Sequence, residues 1–158
     1  MNVKFEQRSA SACELVAEVA RRFGEVQLRV TGASMLPAIW PGDILCVRRC
    51  SVFDLQPGRI LLYRRHGKLI AHRIVSIQGD IVTTQGDSIG HNDTPITESD
   101  FVGQVISVVR RGRCVPDQPS FIRRIGSGIL RRSDLSIRAT MLMARRAQRS
   151  VNEEILWA

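Results

Sequence analysis

Three segments of the 158-residue chain contain side-chain types that could together hydrolyse an amide bond. The first is TGASMLPAIWPGD, residues 31–43, which contains Ser34. Gly32 frees the backbone before this serine, and Pro37 and Pro41 stiffen the chain after it. A serine in such a turn can offer its hydroxyl and its own N–H to one carbonyl, as nucleophilic attack with oxyanion stabilisation requires. On spacing alone, an ordinary loop serine is the simpler interpretation.

A histidine and two aspartates follow at positions from which they could support such a serine. His72 lies in the apolar segment LIAHRIV, residues 69–75, and an imidazole held on a strand is a suitable general base near neutral pH. Asp87 and Asp93 lie six residues apart in TTQGDSIGHNDTPI, residues 83–96, and either carboxylate could orient the histidine. The structural alternatives are a core or cross-strand histidine and turn-forming aspartates.

The elements that must position these side chains begin with a helix predicted over residues 11–23. Ser11 and Glu14 have the spacing of a capping box, and Gly24 is a stop signal. The residues predicted for the apolar face at helical spacing are Leu15, Val16, Val19, Ala20 and Phe23.

From residue 26 the pattern changes to short β-branched segments separated by turn signals. The segments are residues 26–30, 43–49, 59–65, 68–77, 80–85 and 102–111. They predict a mainly β fold, a small antiparallel β-domain. The clearest hairpin joins residues 59–65 to residues 68–77 at His66-Gly67.

Charge divides the chain into a nearly balanced body and a basic tail. The net charge is +8, and all eight basic residues in residues 120–158 are arginines. The predicted organisation is therefore an amphipathic helix in residues 1–25, a β-domain in residues 26–119 and a basic helical tail in residues 120–158. Such a tail favours a polyanionic neighbour, and its basic amphipathic pattern is compatible with peripheral membrane contact.

Composition excludes several classes of protein. There is no apolar run of about 18 residues and no secretory signal pattern at the start, so we expect a chain that stays in the cytoplasm or lies on a membrane surface. The cysteines form no C-x-x-C pair, which predicts free or buried thiols rather than a zinc site; they are Cys13, Cys46, Cys50 and Cys114. We expect no metal or other cofactor.

The order of these segments resembles the signal peptidase I superfamily, which includes the LexA-like self-cleaving proteins. Ser-Met-x-Pro followed by Pro-Gly-Asp is similar to its serine box, and PGRILLY, AHRIV, TTQGDSIGHND and FVGQVISV follow in the family's order. The resemblance covers roughly residues 26–109. It is closest to the archaeal and endoplasmic-reticulum type, which uses Ser-His-Asp rather than Ser-Lys. Those enzymes have a transmembrane helix before the serine box, where this chain has its amphipathic helix.

The resemblance implies a role for each matching residue. Ser34 would be the nucleophile, and His72 the general base and then the general acid. Asp93 is favoured over Asp87 as the third member, which leaves Asp87 a supporting role. Lys68 lies about 13 Å along the strand from His72, too far to replace it as the base. His91 matches nothing in the family and is expected to be exposed.

The function implied is that of a serine endopeptidase that binds a peptide or protein segment in extended form. Its substrate would be a leader, a propeptide or a signal-like segment. Two other classes stay open: a non-catalytic binding or scaffold relative of the same fold, and a basic nucleic-acid-binding β-domain. The β-region lacks interleaved aromatic and basic residues for base stacking, which argues against nucleic acid.

Overall fold

The computed structural model describes the backbone of residues 3–115 and the side chains of residues 11–115. One helix precedes an antiparallel sheet, so the prediction of a mainly β fold is confirmed. The elements are α1 (Val3–Phe23), β1 (Glu25–Arg29), β2 (Ile44–Arg48), β3 (Ile60–Arg65), β4 (Lys68–Gln78), β5 (Ile81–Gln85), β6 (Phe101–Arg110) and β7 (Arg113–Val115). The tail predicted in residues 120–158, and the domain boundary at residue 119, lie outside the described residues.

The seven strands form one sheet in the order β1-β2-β6-β3-β4-β5, and β7 pairs with the end of β6. The predicted hairpin is confirmed, with β3 paired to β4 from Ile60↔Arg73 to Arg65↔Lys68. His66 and Gly67 both have positive φ, at 48° and 66°, which matches the twist of a two-residue hairpin turn. β5 pairs only with the later half of β4, from Arg73 onward.

Two apolar clusters form the core. The first, hereafter the first core cluster, has as its buried members Ala20, Met35, Ile39, Leu45, Val47, Leu62, Val102 and Val105. The second, hereafter the second core cluster, has as its buried members Leu55, Leu61, Tyr63, Ile74, Val82 and Ile96. Neighbouring residues of β3 belong to different clusters because successive strand side chains point to opposite faces.

The helix differs from its sequence prediction in both its start and its buried face. It begins at Val3, so Ser11 lies within it and the predicted capping box is wrong. It ends at Phe23, and Gly24 has a φ of +79°, as the stop signal predicted. Of the predicted face, Leu15 is 65% exposed and Phe23 71% exposed. Val16 and Ala20 of the predicted face do pack on the sheet, and Ala17, which was not predicted, packs beside them. The prediction is therefore correct for part of the face, and tertiary contacts narrowed the buried stripe.

All four cysteines are free thiols. Cys13 is buried in α1, and its thiol donates to the carbonyl of Gly67 at 3.1 Å. Burial raises the pKa of Cys50 to about 11, and the negative charge of Asp54 acts in the same direction. Among the described residues, no helix combines the length and hydropathy needed to cross a membrane.

The position of β6 between β2 and β3 in the sheet depends on a glycine. A Cβ at Gly103 would lie 2.3 Å from the carbonyl oxygen of Arg48. This backbone contact leaves room for hydrogen only, and both strand pairs shift register close to it. Gly103 therefore permits the close approach of β2 and β6.

We expect Gly103→Ala to lower the free energy of unfolding by roughly 1–3 kcal/mol, because the added methyl group must displace a neighbouring strand. Urea denaturation followed by circular dichroism measures this. Gly90→Ala is the matched control, since a Cβ at Gly90 meets nothing within 4 Å. Equal midpoints for the two variants would contradict the steric argument.

Candidate active site

Ser34 lies in the loop between β1 and β2, whose two ends are fastened together. The N–H of Val30 donates to the carbonyl of Asp43, and the N–H of Gly42 donates to the carbonyl of Val30, both at 2.8 Å. The Asp43 carboxylate is buried and accepts the N–H of Trp40 at 2.8 Å. Arg110 of β6 donates to both oxygens of the same carboxylate, at 2.9 and 2.7 Å. The Pro-Gly-Asp motif thus ties the serine loop to the sheet.

A second contact holds the serine itself. The N–H and the hydroxyl of Ser88 both donate to the carbonyl of Ser34, at 3.0 and 2.9 Å. The turn that carries Ser88 can approach this closely because residue 86 is glycine. A Cβ at Gly86 would lie 2.8 Å from the Ser34 carbonyl oxygen and 3.1 Å from His72 Nε2.

His72 lies on β4 and is only 5% exposed. Its Nε2 is 2.9 Å from the hydroxyl oxygen of Ser34, and its Nδ1 is 2.6 Å from Oδ2 of Asp93. An ionised carboxylate only accepts hydrogen bonds, so it keeps the ring proton on Nδ1. Nε2 then has a free lone pair and accepts a hydrogen bond from the Ser34 hydroxyl. The three side chains form one continuous line of hydrogen bonds.

Asp93 is fixed by its backbone and by its carboxylate. Its N–H donates to the carbonyl of Thr84 on β5 at 2.8 Å. The Thr84 hydroxyl donates to Asp93 Oδ2 at 2.7 Å, and Tyr63 Oη lies 3.3 Å from the same hydroxyl oxygen. The Thr84 hydroxyl thus lies within hydrogen-bond distance of both Asp93 and Tyr63.

Thr84 and Tyr63 are both fully buried, so this extension of the site is shielded from water. Burial raises the pKa of Tyr63 to about 12, and the negative charge of Asp93 adds to the rise. Tyr63 therefore stays neutral at physiological pH. Neither Thr84 nor Tyr63 was predicted from the sequence. Each is a polar residue at an inward-facing position of a strand whose side chains alternate between the two faces. That pattern indicates a buried polar group but does not identify its hydrogen-bond partner.

The other candidates lie apart from the His72 ring. Asp87 accepts two hydrogen bonds from Arg73, at 2.8 and 2.6 Å, in a bidentate ion pair. Arg73 also donates to the carbonyl of Gly58 at 2.7 Å, which links β4 to the loop before β3. Asp87 holds the Arg73 guanidinium in the position that makes this link. Lys68 and His91 are both exposed, and neither belongs to the hydrogen-bond line.

An open cleft of about 610 Å³ leads to Ser34 and His72. One wall is the end of β1 and the chain after it, and the other is the first half of β4. The apolar side chains along it are Leu28, Val30, Met35, Ile39, Leu45, Leu62, Leu69, Ile70, Ala71 and Ile89. The site thus combines an aligned serine and histidine with a mainly apolar binding surface. Within the described part of the chain, no group of three or more potential ligands could hold a metal ion.

The chain matches no protein-family model and no curated protein. The chemistry of the site therefore rests on its own residues.

The tyrosine can be titrated directly, because the chain contains one tyrosine. We expect tyrosinate absorbance in the folded protein to rise near pH 12 rather than near the ordinary value of 10.0. Since the folded pKa is the higher one, the free energy of unfolding should fall as the pH rises from 10.0 to about 12. Tyr63→Phe should remove this part of the pH dependence. Titration at the ordinary value before unfolding would contradict the burial of the Tyr63 hydroxyl.

The two aspartates should differ in their effect on stability. Asp87→Ala leaves the largely buried Arg73 guanidinium without its carboxylate, so we expect a loss of about 3 kcal/mol in the free energy of unfolding. Asp80→Ala, in the exposed turn between β4 and β5, is the control and should change little. Chemical denaturation of the two variants makes the comparison. An Asp87→Ala protein as stable as the control would refute the anchoring role.

Proposed function

We propose that the chain is a serine endopeptidase that uses Ser34, His72 and Asp93. The observation that carries this proposal is the hydrogen-bond line from Ser34 to Asp93 at the end of an open apolar cleft. A structural histidine has no need of a serine hydroxyl at one nitrogen and a partly buried carboxylate at the other. This arrangement is the one that nucleophilic acyl transfer uses.

In the proposed reaction, Ser34 Oγ attacks the scissile carbonyl carbon while His72 Nε2 takes its proton. Asp93 stabilises the resulting imidazolium and is itself held by Thr84. The imidazolium then protonates the leaving amine, which departs as the acyl-enzyme forms. A water molecule that gives its proton to His72 attacks the ester, and the same proton returns to Ser34.

The developing oxyanion needs a preorganised donor near the nucleophile. The N–H of Ser34 donates to no acceptor among the described residues. The Ser34 carbonyl, by contrast, is held by two donors from Ser88, so the peptide unit is fixed in orientation. We assign the Ser34 N–H as one oxyanion donor.

Unpaired strand edges supply the means to bind an extended peptide. β5 pairs with β4 only from Arg73 to Gln78, so the first half of β4 has an unpaired edge at the cleft. β1, on the opposite wall, ends the order of strands and pairs with β2 alone. A peptide laid between them would add a strand through main-chain hydrogen bonds.

The segment order and the antiparallel β-fold support a place in the Ser-His-Asp branch of the signal peptidase I superfamily. The substrate would then be a leader, a propeptide or a signal-like segment with small side chains beside the cut. The polyanionic neighbour favoured by the arginine-rich tail would be a membrane surface near such substrates.

The test is cleavage of a library of extended peptides, together with labelling by a serine-acylating probe. We expect the wild type to cleave and to be labelled at Ser34. Ser34→Ala and His72→Ala should each lower kcat by on the order of 10⁵–10⁶-fold, and Asp93→Ala by on the order of 10⁴-fold.

Matched controls separate chemistry from folding. Ser76→Ala, on the same strand as His72, and His91→Ala, at an exposed position, should keep full activity. Circular dichroism and thermal unfolding check that every variant is folded. A wild type that neither cleaves the library nor reacts with the probe would overturn the proposal in favour of a non-catalytic relative.

A further inference from the structure

The two strands that border the cleft present alternating side chains to it. On β1 and just beyond it, Leu28 and Val30 pack against the first core cluster, and on β4 Leu69 and Ala71 do the same. These residues form the floor of the cleft. The rim is formed by the two exposed residues next to this floor, Arg29 between Leu28 and Val30, and Lys68 before Leu69. Ile70, between Leu69 and Ala71, packs instead against the second core cluster.

The rim is cationic. Arg29 on β1 and Lys68 on β4 both line the cleft, both are exposed, and neither forms an ion pair with a described residue. Among the described residues that line the cleft there is no aspartate or glutamate. A peptide in the cleft would therefore meet two positive charges on opposite walls and no negative charge.

The distance of Lys68 from the reacting atoms sets a register. Lys68, Ile70 and His72 alternate on one face of β4, and the four-residue step from Lys68 to His72 spans about 13 Å. An extended peptide that pairs with this strand advances by the same rise per residue. The side chain that reaches the cationic rim therefore lies about three to five residues from the bond at Ser34.

We propose that Arg29 and Lys68 form a subsite that selects substrates with an acidic side chain at this distance from the scissile bond. This inference rests on the proposed function, and it defines the substrate class as extended peptides with small apolar residues facing the floor and an acidic residue facing the rim. Opposite charges across a partly desolvated cleft attract, and a basic residue at the same position is repelled.

Two readouts test the subsite. Capped peptides of alanine, valine and serine, identical except for one Asp or Asn placed at successive positions, are assayed for cleavage by the wild type. The fluorescently labelled peptides are also bound to Ser34→Ala by anisotropy. At one position, we expect Asp to raise both kcat/KM and affinity roughly fivefold over Asn, and high salt to abolish the difference.

Charge reversal supplies the decisive variants. In Lys68→Glu and Arg29→Glu, placed in both the active and the Ser34→Ala background, the preference should invert, so that a peptide with Lys at that position outperforms the Asp peptide. Arg113→Glu on β7 is the matched control, because it changes net charge equally without lining the cleft. This control should keep the wild-type preference.

Each outcome bears on the inference separately from the enzymatic proposal. A preference for Asp in binding, without cleavage by the wild type, supports the subsite and counts against the peptidase. Equal affinity for Asp and Asn peptides at every position overturns the subsite, even if cleavage is efficient. A preference reduced as much by Arg113→Glu as by the rim variants also overturns it, because it would then be an effect of net charge.

Discussion

The 2.6 Å hydrogen bond between His72 and Asp93 imposes the strictest requirement on the architecture of the site. A carboxylate that is removed from water must be matched by donors, or it becomes protonated. Oδ2 of Asp93 accepts hydrogen bonds from both the imidazole and the Thr84 hydroxyl, and both partners come from paired strands. The sheet therefore decides where the carboxylate can lie. The histidine tautomer, and with it the free lone pair that faces Ser34, follows from that placement.

Ser34 must then reach His72 from a loop that has no strand pairing of its own. Its position is set from two sides, by the Asp43–Arg110 ion pair at the base of the loop and by Ser88 at the serine itself. Ser88 belongs to the turn that follows β5, the strand that also carries Thr84. One short stretch of chain thus bonds to both Ser34 and Asp93 and passes beside His72, and the absence of a side chain at Gly86 makes that approach possible.

The ion pairs of the inward-facing aspartates explain why the charged residues at the cleft are positive. Asp43 is matched by Arg110, Asp87 by Arg73, and Asp93 by His72. Each of these aspartates is turned inward to hold a loop or a ring. The carboxylates are thereby withdrawn from the cleft walls, whereas Arg29 and Lys68 remain at its rim. The same interactions that build the site leave its binding surface positive.

Much of this protein could be predicted from local pattern. Period-two apolar segments and turn residues predicted the strands, and His66-Gly67 predicted the hairpin, because strand alternation and positive φ are properties of neighbouring residues. The types and order of Ser34, His72 and Asp93 likewise suggested the chemistry. The exposure of Leu15 on α1 could not be predicted, because Leu15 and Val16 are equally apolar and only the sheet decides which one packs. Asp87 and Asp93 were both reasonable partners for His72 until the register of β5 placed Arg73 against one and the imidazole against the other. The sequence by itself determined which side chains were available and which segments were strands. Which carboxylate meets the histidine, and that Thr84 and Tyr63 support it, was decided by tertiary structure, because those contacts join residues far apart in the chain.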